Sequence, residues 1–137
     1  MSAMGPEDYE TLLRFRTGLR RFLRWSERQA REAGLTPAQH QLLLSVRGHP
    51  DPAGPTIGEV AEYLVLRHHS TVGLVDRAQN AGLVERHVDE ADHRVVRVRL
   101  TRDGQERIAR LSALHLQELQ RLGPLLAGTA EQQLPPG

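Results

Sequence analysis

Apolar positions recur along this chain with two different periods, and the change between them divides it. Leu12, Phe15, Leu19, Phe22, Leu23 and Ala30 fall at three- and four-residue steps, with Arg14, Arg20, Arg21, Arg24, Arg28 and Arg31 largely opposite. That spacing predicts one long amphipathic helix. Pro6 suits its first position, Glu7 and Asp8 complement the positive end of its dipole, and Gly34 ends it. "TPAQ" then starts a second helix, with Thr36 as cap, Pro37 at the first position and Gln39 reaching back. Leu42, Leu43 and Val46 are its buried side, and it stops at Gly48. "GHPDPAGP" is a loop, because its prolines and glycines allow little else. "TIGE" repeats the capping box at Thr56 and Glu59 and opens a helix with Ile57, Val60, Ala61 and Leu64 inside. Beyond a turn at Val65-Leu66, Thr71, Leu74, Val75 and Ala78 form the inner stripe of a fourth helix, ended by Gly82.

The period then drops to two. Val84 to Val88 and Val95 to Leu100 read as strands, with "DEADHR" at the turn between them. In the second strand Val96, Val98 and Leu100 are expected inside, while Arg97 and Arg99 point outward. Thr101 caps a last long helix carrying Ile108, Leu111, Leu114, Leu119 and Leu122. Gly123-Pro124 is expected to break it, leaving at most one short helix and a frayed tail. The fold class is therefore mostly α with a small β-hairpin. Helices over 56–64 and about 67–81, joined by a few residues, have helix-turn-helix spacing, and the hairpin directly after them makes the unit a winged helix.

Composition narrows the function. At 137 residues the chain is one domain, and 39% hydrophobic with 26% charged residues is ordinary for a soluble globular protein. Aromatics are only 4%, so Leu, Val and Ala must build the core. Net charge is +1, so the placement of charge has to decide about nucleic acid. All 18 basic residues are arginine, whose fork matches phosphate and guanine. The absence of cysteine excludes disulfides, thiolate catalysis, cysteine-held zinc and thiol redox sensing. No apolar run approaches a membrane span, and "MSAMGPEDYE" is unlike a signal peptide, so the expected location is the cytoplasm, at the nucleoid, with no membrane partner.

Catalytic chemistry finds no footing. Ser70, His69 and Asp76 on one helix cannot supply nucleophile, base and oxyanion hole at their offsets, and phosphate-loop, dinucleotide and nucleophile-elbow patterns are absent. His68 and His69 point about 100° apart and do not chelate together, and none of the seven histidines forms an H-x-x-x-H pair. The expectation is no catalytic residue, no metal and no cofactor. Arg94 at the hairpin tip, with Asp92 near enough to orient it, suits the narrow minor groove. Histidines at the head of the fourth helix would make DNA affinity fall as pH rises through the imidazole range.

The succession "LTPAQHQLLLSV", "TIGEVAEYL", "STVGLVDRAQNAGLVER" and Asp92-x-Arg94 before "VRLTRDG" resembles the MarR family of bacterial transcriptional regulators, over about residues 9–122. The resemblance implies a homodimer joined by helices over 7–33 and 102–133, each chain carrying a DNA-binding lobe over 36–100. It implies a repressor on a pseudo-palindromic double-stranded DNA operator, with half-sites about one helical turn apart. Carried over by position, Arg67, His68, His69, Ser70 and Thr71 head the recognition helix, although Thr71 also belongs to the inner stripe. Arg77 and Arg86 become phosphate contacts, and Arg94 with Asp92 the wing tip. Trp25 and His40 would line a pocket for a small aromatic or anionic effector; core packing explains Trp25 as well. Arg67 departs from the family's Ser or Thr cap, and Gly73 from its mid-helix arginine. Two alternatives remain open: a winged helix used for protein–protein contact, which the arginines at 67, 77, 86, 94, 97 and 99 speak against, and a metal-responsive regulator.

Overall fold

The computed structural model describes residues 3–131, with side chains through 123. Five helices and one hairpin follow in the order α1 (Pro6–Glu32), α2 (Pro37–Gly48), α3 (Ile57–Leu64), α4 (His68–Asn80), β1 (Val84–Val88), β2 (Val96–Leu100) and α5 (Arg102–Glu131). Both expected capping boxes form. Thr36 accepts from the Gln39 amide while Gln39 accepts from the Thr36 amide, and Thr56 and Glu59 repeat the exchange. Thr101 accepts from the Gly104 amide and so starts α5.

The short helices and the hairpin close over one core. Leu42 and Leu43 of α2, Val60 of α3, Val75 and Ala78 of α4, Val84 and Val98 of the hairpin, and Ile108 and Leu111 of α5 are almost wholly buried together. Burying one such leucine stabilises by about 1.5–3 kcal/mol, and truncating it to alanine costs about 2–5 kcal/mol. β1 and β2 are antiparallel, with Val84 opposite Leu100 and Val88 opposite Val96. The loop before α3 adds a short third rung. Thr56 bridges Arg97, and the Val98 amide donates to the Pro55 carbonyl at 2.9 Å. Gly54 makes that approach possible: its φ is +91°, and a Cβ there would lie 2.1 Å from the Val98 carbonyl oxygen.

The helix-turn-helix bend rests on a left-handed residue that is not glycine. Val65 caps α3 at φ 54°. A β-branched residue there is strained by contact of its Cβ with the backbone. Gly82, at φ +75°, turns the chain out of α4 at no such cost.

The structure corrects three expectations. Gly123-Pro124 does not break the last helix, which runs unbroken to Glu131. A proline disfavours helix at the residue before it partly through that residue's Cβ, and here the preceding residue is glycine. The second strand starts at Val96 rather than Val95, and of its three expected inner residues only Val98 is buried. Arg97 does not stand free on the outside; its guanidinium is taken up within the protein, as described below. The expected tail beyond 131 lies outside the described residues.

The long helices differ from the lobe. On α1 only Ser26 and Ala30 are buried. Leu12, Phe15, Leu19 and Leu23, and Leu114, Leu116 and Leu119 of α5, are each more than a third exposed.

Candidate nucleic-acid interface

α4 presents a bare N-terminus. Its cap position is Arg67, which makes no side-chain capping bond, and its first turn holds no acid. His68, His69 and Ser70 follow and are exposed. The amides of a helix start and its dipole favour an anion, so this end is electropositive without a single lysine. Thr71 leaves the proposed base-reading set: it is fully buried, and its hydroxyl donates to the Arg67 carbonyl at 3.0 Å. The inner-stripe reading of Thr71 is the one its packing follows. One turn on, Arg77 is exposed, and its guanidinium lies over Gly73, within 3.3 Å of where a Cβ would stand. Gly73 thus leaves room for Arg77.

Arg86 is held within the chain. Its guanidinium donates to Asp76 and, at 2.8 Å, to Gln79, tying β1 to α4. The wing tip is ordered by two aspartates. Asp92 receives Arg94 through both Nε and Nη2, at 3.0 and 3.1 Å, and also the Arg94 amide. The Arg94 bonds hold the Asp92 carboxyl below its ordinary pKa. Asp89 accepts the amides of Ala91 and Asp92 on one oxygen and Arg97 on the other, and those bonds, Arg97 first, lower its pKa too. Arg94 itself is 91% exposed, so it is aimed but unspent. The residues singled out from sequence include neither Asp89 nor the inward use of Arg97. The D-x-x-D spacing from 89 to 92 is a signal for an aspartate-stabilised turn; no spacing indicates the partner of Arg97.

Trp25 and His40 do come together, around His115. The His115 ring lies 4.8 Å from Trp25 and 4.7 Å from His40, with Phe22 edge-on at 6.1 Å. His115 donates from Nδ1 to the Leu111 carbonyl, which fixes the tautomer, so Nε2 accepts from the Ser26 hydroxyl at 2.6 Å. Burial, and then the neighbouring His115, push the His40 pKa from 6.5 to about 4. His40 is therefore neutral at ordinary pH and packed where α1, α2 and α5 meet. Among the described residues no group of three or more His, Cys, Asp or Glu is arranged to hold a metal ion, and no helix is long and apolar enough to cross a membrane.

An uncapped second helix after a tight turn, a two-stranded wing with an aimed arginine, and long flanking helices define a winged helix-turn-helix protein. Comparison with known proteins agrees. A profile described as MarR family matches residues 33–95. Over 50 residues the chain is 46% identical to the uncharacterized HTH-type transcriptional regulator YsmB of Bacillus subtilis; the match spans 36% of this chain and 34% of that one. A solved MarR family transcription regulator, SP03579, is 25% identical with a TM-score of 0.70, covering 88% of this chain and 76% of its own. The S. aureus MepR–DNA complex superposes with a TM-score of 0.70 at 18% identity, over 86% of this chain and 84% of MepR. The chain is thus similar, in its helix-turn-helix segment and in its fold, to the MarR family of transcriptional regulators.

Proposed function

We propose that this protein is a DNA-binding repressor that acts as a homodimer on a pseudo-palindromic operator. The observation that carries the reading is the pairing of an uncapped α4 head with a wing-tip arginine held outward by Asp92. Such a head suits base edges in the major groove, and such an arginine suits the minor groove beside it. MepR, which shares the fold, was crystallised on DNA. The dimer reading rests on the apolar side chains of α1 and α5 left open in a single chain, since exposed apolar surface on this scale is a mark of an interface.

The effector reading rests on Trp25, half-buried against His115 at the junction of the long helices with the lobe. A small aromatic or anionic compound there would alter the separation of the two recognition helices, so that both half-sites are no longer engaged together. His40, only 3% exposed, is then a wall of that site rather than a contact.

The test is fluorescence anisotropy on a duplex enriched from a random pool by the protein itself. Binding with a steep salt dependence, weakened about tenfold in Arg94→Ala, is expected. Equal, weak binding to scrambled DNA with a flat salt slope would return the fold to a protein–protein role.

A further inference from the structure

Arg97 lies on the strand leading away from the wing tip, and its guanidinium faces neither solvent nor a groove. Its side chain is 20% exposed. Nε donates to Asp89 at 2.5 Å and Nη1 to the Gly54 carbonyl at 2.8 Å, with Asp51 4.0 Å away. Asp89 completes a chain of contacts. Its second oxygen takes the amides of Ala91 and Asp92, and Asp92 in turn grips Arg94. An unbroken series of bonds thus runs from the loop before α3, through Arg97 and Asp89, to the arginine at the wing tip.

From this geometry we infer that Arg97 and Asp89 are positioning residues for DNA binding: they set the angle of the wing against the helix-turn-helix and so the aim of Arg94. The inference rests on the DNA-binding reading. A two-stranded hairpin is only marginally stable by itself, and this one emerges from the core with Val98 as its last fully buried residue. Beyond Val98 the Arg97 fork, together with the backbone bridge from Arg97 to Thr56, fastens it to the rest of the lobe. Gly54 is a fixed anchor, because the Val98–Pro55 bond and the tight approach of Gly54 to the Val98 carbonyl pin that loop to β2. The fork needs two donors set at an angle, which guanidinium supplies and ammonium does not.

An acid and a base in this relay give opposite expectations under a simpler view. If Arg97 only met a phosphate, removing Asp89 would free it and tighten binding. If the pair aims the wing, Asp89→Asn weakens binding although it removes a negative charge. Asparagine keeps an oxygen for the turn amides, so the tip turn itself survives.

The experiment measures anisotropy on the selected duplex for Asp89→Asn, Arg97→Gln, Arg94→Ala and the Arg94→Ala/Arg97→Gln pair, with thermal melts to confirm folding. Expected are about fivefold losses for Asp89→Asn and for Arg97→Gln, and no further loss from Arg97→Gln once Arg94 is alanine. Arg97→Lys serves as a second variant should Arg97→Gln fail to fold; it keeps the charge and should lose nearly as much. Binding by Asp89→Asn as tight as the wild type or tighter, additive losses in the double variant, or full affinity in Arg97→Lys would each overturn the inference alone. A selection that enriches no duplex would instead overturn the DNA-binding reading, and this inference with it.

Discussion

At the head of α4, Arg67, His68 and His69 stand exposed and form no ion pair with other described residues, whereas every arginine from 86 to 97 is held by an acid. The wing has its side-chain order in place before any partner arrives, so less conformational entropy is lost when it docks. The head keeps its freedom and its unsatisfied amides, and so must be ordered by what it meets. Affinity independent of sequence suits the first arrangement and discrimination between sequences the second. Under the proposed DNA-binding reading, the two together would separate positioning from reading.

The comparison is broken most directly at the head. His69→Ala should cost about tenfold to a hundredfold on the selected duplex and much less on duplexes already altered at the base it reads, measured by anisotropy across single-base variants. An equal loss on every duplex would place His69 with the phosphate contacts and erase the contrast with Arg94.

A second effect separates binding from folding. An unfolded histidine protonates near 6.5, whereas His40 in the fold does so at about 4. Above pH 6.5 both states are neutral and the stability from His40 is full. As pH falls below 6.5 the unfolded chain takes up a proton that the folded one resists, so stability declines and levels off below about 4. The loss should be on the order of 3 kcal/mol, read from urea melts at several pH values. His40→Gln should flatten that decline; an unchanged decline would assign it to other groups.

The smallest effect sharpens the contrast. Arg67→Ser supplies the side-chain cap that α4 lacks, and should raise stability by about 0.5–1 kcal/mol while weakening DNA binding. A stability gain with affinity untouched would mean that the bare cap serves no binding role.

Much of this was legible in the residues. The two capping boxes, the glycine stop after α4 and the change of period at Val84 placed six of the seven elements to within a residue or two, because each signal lies within four positions of the group it controls. The wing tip was legible for the same reason: Asp92 and Arg94 are two residues apart. Thr71 was ambiguous because a helix-head residue and an inner-stripe residue coincide there, and only packing could decide it. The α5 breakpoint was misread because proline was weighed without the glycine before it.

The sequence by itself therefore determined the elements, their order and the aimed arginine, since periodicity and capping act through near neighbours. The tertiary structure alone decided which arginines are free. Arg97 bonds a carbonyl 43 residues away and Arg86 an aspartate 10 residues away. A charge on a strand reads the same whether it faces water or another loop, and only the packed fold brings its partner within hydrogen-bond distance.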